Sequence, residues 1–314
     1  HYGLLLDSVW ACDVLLATTK FEIWGLTGSI STESAEHFEF ANERLWYWIG
    51  EIDRACNRFK EDSEIQHLNN ANGKEREVSA TFELALDAAI KSSQITGGLC
   101  DPTVLSALLD LGYDRDFDEL VNQTRTNHNQ PAPTPGISAI KFDRSGHTVS
   151  LNNCEIDFGA SAKALTADLV ANDVMKFGGV AVEIGGDVAL RGIDPRSPWT
   201  IGISESLSVD ATVPTVAMSS GGIATSSLRA RSWKVNSETA NHIIDPRTGS
   251  YARGPYSTAT VSAPDCVTAN AFATAALLWG EDAGYHIAQS GWSARLVRNN
   301  GTVEFIGGWP EDSE

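Results

Sequence analysis

The sequence predicts an α+β protein. Strand-like and helix-like stretches follow one another in runs, without the regular βαβ alternation of a doubly wound sheet. Of the 314 residues, 42% are hydrophobic, enough to fill a sizeable core. Near the end, Ala294 to Val297 and Thr302 to Ile306 flank Asn299-Asn300-Gly301, a strong hairpin signal.

From the start, Phe21 to Thr32 reads as a strand. Apolar residues at Phe38, Ala41, Leu45, Trp48, Ile52, Ala55 and Phe59 then fall in steps of three and four, one face of a long amphipathic helix. Ser63 with Gln66 reads as a capping box opening a short helix that Gly73 closes. Phe82 to Ser93 is helical, ending near Gly97-Gly98. Thr124 to Gly136, with Pro131, Pro133 and Pro135, sustains neither regular period and is read as a surface loop excursion. Ser138 to Phe142 and Thr148 to Leu151 resemble short strands. Ala160 to Phe177 reads as a helix, Val180 to Leu190 as strand interrupted by Gly185-Gly186, and a further helix opens at Ala269 and ends at Gly280.

The formal charge of −18 disfavours nucleic acid, whose sequence-independent grip comes from clustered Lys and Arg. An anionic ligand would need local help from a metal ion or a helix N-terminus. No stretch approaches the ~20 apolar residues of a membrane span. His1 to Thr19 lacks the basic and apolar regions of a signal peptide, so no membrane span and a cytoplasmic location are expected. The five cysteines are widely spaced with no C-x-x-C pair, which fits buried free thiols and neither a zinc site nor a disulfide framework.

Five segments are richer in Gly, Asp, Ser and Thr than packing requires. They are Asp62-Ser63-Glu64, Gly97 to Thr103, Asp157 to Lys163, His242 to Gly249 and Ala269 to Thr274. In the third, a strand turns directly into a helix with Lys163 in its first turn, the arrangement that suits a phosphate; a plain helix start with a snorkelling lysine would look the same. In the fourth, a histidine precedes an Asp-Pro turn, where a lone histidine is usually structural. In the fifth, Asn270 and Thr274 share a helix face and offer oxygens to a hard cation, or act as a cap and a back-bonding hydroxyl.

Taken together, the order of these segments resembles the FAD:protein FMN transferases, the ApbE family, from about Phe21 to Gly280. The resemblance rests on Arg58 to Glu64, Gly98 to Val104, Asp157 to Lys163, Glu183-Ile184-Gly185-Gly186-Asp187, Ala224-Thr225-Ser226 and His242 to Gly249. It implies a T-fold-like arrangement of mixed sheets and helices forming two lobes around a flavin cleft. A segment 1–20 would precede a single flavin transferase-like domain, 21–314. It also implies FAD as substrate, Mg2+ across its pyrophosphate, and transfer of FMN to a Thr or Ser of a partner flavoprotein with release of AMP. By position, Ala160 (through its carbonyl), Asn270 and Thr274 would hold the metal. Trp24, Phe59, Leu99, Cys100, Asp101, Asp157, Lys163, His242 and Ile243 would meet the flavin nucleotide. Lys163 would assist by neutralising charge, and His242 or Asp245 would take the proton from the acceptor hydroxyl.

Four positions depart from the family pattern. Met-Gly-Thr becomes Trp24-Gly25-Leu26, Ala-Lys-Gly becomes Ala162-Lys163-Ala164, His-His becomes Asn241-His242, and the usual metal-binding aspartate is Asn270. Loss of that carboxylate predicts weaker metal binding. The readings this opens are FAD hydrolysis to FMN and AMP, or retention of FAD by a protein with weakened catalysis. A solute-binding or interaction module on the same scaffold is a further reading.

Overall fold

Strands rich in Val, Ile, Ala, Ser and Thr build one eight-stranded antiparallel sheet. Numbering its strands alone, they are β1 (Ala17–Ile23), β2 (Leu26–Thr32), β3 (Val180–Ile184), β4 (Asp187–Arg191), β5 (Gly221–Ser227), β6 (Tyr256–Ala263), β7 (Ser293–Arg298) and β8 (Val303–Ile306). They lie side by side in that order, each antiparallel to the next. The computed structural model describes residues 16–120, 124–125, 130–194, 196–203, 213–235 and 238–310. The chain is α+β and divides into two compact units. Unit 1 comprises residues 1–49, 163–227 and 255–314, and unit 2 residues 50–162 and 228–254.

In unit 1 the sheet carries the helix Cys266–Trp279, hereafter the seat helix. Its alanines allow close approach: Ala269 packs with Ala224 of β5 and Ala263 of β6. A Cβ added at Gly222 would come within 2.3 Å of the Cys266 nitrogen, so only glycine fits where β5 passes the helix start. Asp265 caps that start, its Oδ1 accepting from the Thr268 N–H at 2.7 Å. Asp168, on the helix Ala162–Val174, caps it a second time: its carboxylate accepts from the Cys266 and Val267 N–H groups, both at 3.0 Å, and pairs with Arg191 at 2.8 Å. A second core gathers Trp199, Ile201, Ile203, Val216 and Trp309 against Val188, Leu190 and Ile223 of the sheet.

Unit 2 holds the small helices and short strands. The strands Ser232–Val235 and Glu238–Asn241 form a hairpin, and Thr124–Arg125 pairs parallel to the first of them. Leu108, Leu111, Tyr113, Leu120, Trp233 and Ile244 make its core. The strands Ile140–Asp143 and Thr148–Leu151 pair as a hairpin beside Arg76–Glu77.

Several expected elements shift. The single strand at 21–32 is two strands, because Trp24 (φ 53°) and Gly25 (φ 67°) both take the left-handed region and reverse the chain between β1 and β2. The long helix is Phe38–Cys56, so Phe59 lies beyond its end. Ser63 Oγ accepts from the Gln66 N–H, but the Gln66 side chain donates to the Arg58 carbonyl, so the capping box is half formed. That short helix ends at Asn69, four residues before Gly73. Gly185 (φ 59°) and Gly186 (φ 92°) make the tight turn between β3 and β4. The seat helix opens at Cys266, three residues before the expected start. Of the loop at 124–136, residues 126–129 lie outside those described, as do residues 1–15 of the expected N-terminal segment and Cys12 within them. Cys56, Cys100 and Cys266 are buried free thiols, but Cys154 is only half-buried. No described helix is long and apolar enough to cross a membrane.

Candidate functional site

The expected site residues fall into two groups, one in each unit. In unit 1, register places the reversing turns at one end of the sheet. Gly28 pairs with Ile184 across β2 and β3, and the Gly185 N–H donates to the Thr27 carbonyl at 2.9 Å. The half-buried Trp24 of the first turn and Gly185-Gly186 of the second therefore lie at the same sheet end. Ala224 pairs with Asp187, so Thr225 and Ser226 extend β5 past the start of β4 at that end.

Asp187 is the centre of this group. It is fully buried; its Oδ2 accepts from Lys163 Nζ at 2.7 Å and its Oδ1 from Asn270 Nδ2 at 2.9 Å. Lys163, on the first turn of its helix, and Asn270, on the second turn of the seat helix, are thus bridged by one carboxylate. Asn270 Oδ1 is buried and, among the described residues, has no hydrogen-bond partner. One helical turn further on, Thr274 Oγ1 lies 3.1 Å from Ser226 Oγ. A buried oxygen without a partner on the same face as two hydroxyl oxygens fits a hard cation such as Mg2+, which takes oxygen ligands. Among the described residues no three His, Cys, Asp or Glu side chains converge on such a point, so the fit rests on the amide and hydroxyl oxygens alone. Below Asp187, Glu183 is buried on β3, accepting from Ser29 Oγ at 3.2 Å and from the Gly186 N–H at 3.3 Å. Burial lifts its carboxyl from 4.5 to about 7, against the lowering effect of those hydrogen bonds.

In unit 2, Asp157 is pinned on three sides. Arg58 Nε lies 2.9 Å from its Oδ2, the Gly159 N–H donates to its Oδ1 at 2.8 Å, and its own N–H donates to the Pro102 carbonyl at 2.8 Å. The Arg58 guanidinium covers the Phe59 ring at 4.1 Å and the Tyr113 ring at 4.7 Å. Phe59 is 36% exposed, with the Tyr113 ring 6.1 Å from its own. Leu99 and Cys100 are buried after the left-handed Gly97 and Gly98. Asp101 is also buried, and its carboxylate is engaged: Oδ1 accepts from the Thr103 N–H and hydroxyl, both at 2.8 Å, and Oδ2 from Thr134 Oγ1 at 2.7 Å. Ala160 is exposed in the turn that closes through Ser161 and Ala162 N–H bonds to the Phe158 carbonyl.

Thr134 also ties this loop to the histidine segment, its N–H donating to the Pro246 carbonyl at 2.8 Å. There His242 is half-buried, with Nδ1 3.4 Å from the Arg231 carbonyl. Donation of Nδ1–H to that carbonyl leaves the ring's lone pair on Nε2. Arg231 Nη1 in turn donates to Tyr113 Oη at 3.0 Å, which joins His242 to the Phe59 and Arg58 stack. Ile243 is buried, and its N–H donates to Asn241 Oδ1 at 3.0 Å while Asn241 Nδ2 donates to the Ala252 carbonyl at 3.0 Å. Asn241 is therefore the pin that sets the histidine loop. Asp245 faces Arg247, which donates to both its oxygens at 2.9 and 2.8 Å. Partial burial raises the Asp245 carboxyl, but the Arg247 bonds prevail and hold it below the usual range.

Sequence reasoning singled out Lys163, Asp157 and Asn270 but assigned no role to Asp187, Arg58 or Asn241. All three stood inside or beside the quoted motifs. Their partners lie far along the chain or in irregular loops, where no periodicity records them.

The sequence model of the ApbE family matches residues 19–296. A protein of Vibrio cholerae named FAD:protein FMN transferase is 27% identical over 248 residues, covering 77% of this chain and 74% of that protein. One of the same name from Haemophilus influenzae is 25% identical over 273 residues, covering 83% and 78%. The crystal structure of the ApbE protein of Thermotoga maritima superposes with a TM-score of 0.80 at 25% identity, covering 93% of this chain and 97% of that one. The apo flavinyl transferase of Pseudomonas stutzeri gives 0.74 at 18% identity, covering 93% and 94%, a likeness of fold.

Proposed function

The chain belongs to the ApbE family, and on that footing we propose that it is a Mg2+-dependent FAD:protein FMN transferase, moving FMN from FAD to a Thr or Ser of a partner flavoprotein. The acceptor hydroxyl oxygen attacks the phosphorus on the flavin side, the bond to the bridging oxygen breaks, and AMP leaves with that oxygen. The observation that carries this reading is the bridged set Lys163, Asp187 and Asn270, an ammonium and an unpartnered buried oxygen gathered at one sheet end.

Asn270 Oδ1 and Thr274 Oγ1 are the proposed holders of Mg2+. When bound, Mg2+ neutralises charge on the pyrophosphate and on the leaving AMP. Lys163 does the same from a fixed position, since its ion pair with Asp187 restricts where Nζ can sit. The exposed Phe59 ring is the proposed surface for the isoalloxazine, with Arg58, paired to Asp157, packed over it. Trp24 offers an aromatic surface where the family has methionine. The Leu99 to Asp101 turn and Ile243 are the proposed lining of the flavin, with Asp101 shaping the turn through Thr103 and Thr134.

Between the two candidate bases, the geometry favours His242. The Asp245 carboxylate is occupied by Arg247 and too weakly basic to take a hydroxyl proton.

The test is incubation with FAD, Mg2+ and a Thr- or Ser-bearing flavoprotein acceptor, resolved by mass. The acceptor should gain FMN while AMP appears in equal amount, and chelation of Mg2+ should stop both. FMN and AMP released without acceptor would indicate hydrolysis instead. FAD left intact under all conditions would overturn the transferase reading.

A further inference from the structure

Substitution of the family's metal-binding aspartate by Asn270 raises a question of orientation, because an amide presents either an oxygen or a nitrogen. Only the oxygen can ligate a cation. In this chain the choice is made by a neighbour. The Asp187 carboxylate, fully buried and already holding Lys163, lies 2.9 Å from the Asn270 amide nitrogen. A carboxylate accepts and does not donate, so a flipped amide would set oxygen against oxygen. The amide oxygen is consequently the end turned away from Asp187, and it is the buried atom without a partner.

We propose that Asp187 is a positioning residue that locks the Asn270 amide with its oxygen presented to the cation, so that the substituted site keeps an oxygen ligand. The two positions work as a matched pair: asparagine at 270 requires an acceptor at 187. This rests on the Mg2+ site of the preceding section. It adds a residue that does not touch the ion and explains how the departure from the family pattern is tolerated.

A double-mutant cycle on the full chain tests it, with thermal shift against MgCl2 at saturating FAD as the readout. Asp187→Asn should raise the Mg2+ midpoint about 10-fold, because Lys163 claims the one oxygen left at 187 and the amide nitrogen then faces Asn270, where it cannot accept. In the Asn270→Asp background the same change should cost less than about 2-fold, because the amide introduced at 187 can donate to a carboxylate whose two oxygens are equivalent. Equal losses in both backgrounds would mean that Asp187 acts only through its charge, and would overturn the inference while leaving the Mg2+ site intact. Absence of any Mg2+-dependent shift in the wild-type protein would instead overturn the site and the inference with it. Should Asp187→Asn not fold, Asn270→Asp alone remains informative. Two facing carboxylates should lower the Mg2+-free melting temperature and enlarge the shift on adding Mg2+, and an unchanged Mg2+-free melting temperature would count against the lock.

Discussion

Glu183 shows what burial does to a single carboxyl. Its folded value is about 7 against an ordinary 4.5, so the folded state holds a proton that the unfolded chain has released. Below 4.5 both states are neutral and the full stability is present. As pH rises from 4.5 to 7 the unfolded chain ionises first and stability falls, with the penalty complete above 7. Glu183→Gln removes this loss, on the order of 3 kcal/mol. Urea midpoints of the two proteins should coincide near pH 4 and separate by pH 8, the variant being the more stable; parallel curves would refute the assignment. At the same scale, Lys163→Met should lower kcat/KM for FAD roughly 100-fold or more. His242→Ala should likewise cost ~100-fold, and Asp245→Asn far less. Steady-state AMP release reads all three. At this level the sequence placed Lys163 on the first turn of its helix but did not show its ion pair with Asp187, 24 residues on. It was least legible for Asp101. Its carboxylate is engaged by Thr103 and by Thr134, 33 residues on, bonds that no local pattern records.

At the level of elements, the seat helix depends on a cap supplied from elsewhere. Asp168 satisfies two of its first N–H groups and one guanidinium, and burial raises its carboxyl while those bonds oppose the rise. Asp168→Ala leaves Arg191 and both N–H groups without that partner, and should destabilise the protein by about 3 kcal/mol in urea denaturation. Gly222→Ala, which forces a methyl against the Asp265 and Cys266 backbone, should cost about 1–3 kcal/mol by the same measurement. The seat helix was visible in the sequence through its alanines and its end at Gly280. Its true start was not, because Asp265 and Thr268 form the cap before the apolar pattern begins. The β1–β2 turn was missed for a related reason: apolar residues continue on both sides of Trp24-Gly25, and only the glycine marks the reversal. The Asn299 to Gly301 hairpin and the Gly185-Gly186 turn carry their own turn chemistry, and both form where expected.

For the whole molecule, ligand binding should appear as stability. If FAD and Mg2+ bind the folded chain alone, raising FAD to 100 times its Kd should add about 2.7 kcal/mol, seen as a rise in melting temperature that EDTA reverses. An unchanged melting temperature at saturating FAD would rule out flavin as the ligand. The α+β class followed from the irregular order of elements. A division in two was implied only by the family resemblance, because each unit is assembled from separated stretches of chain, unit 2 from 50–162 and 228–254. Periodicity reports what one stretch does locally and is silent on which distant stretch it joins.

The β2–β3 pairing has a consequence for how the protein is made. β2 ends at Thr32 and its partner β3 begins only at Val180. At ~5–20 residues per second, a ribosome takes roughly 7–30 s to deliver the missing neighbour. Throughout that interval the nascent hairpin offers an unsatisfied strand edge to the cell, so folding during synthesis should be most vulnerable to aggregation, and most responsive to chaperones, before residue 180 emerges.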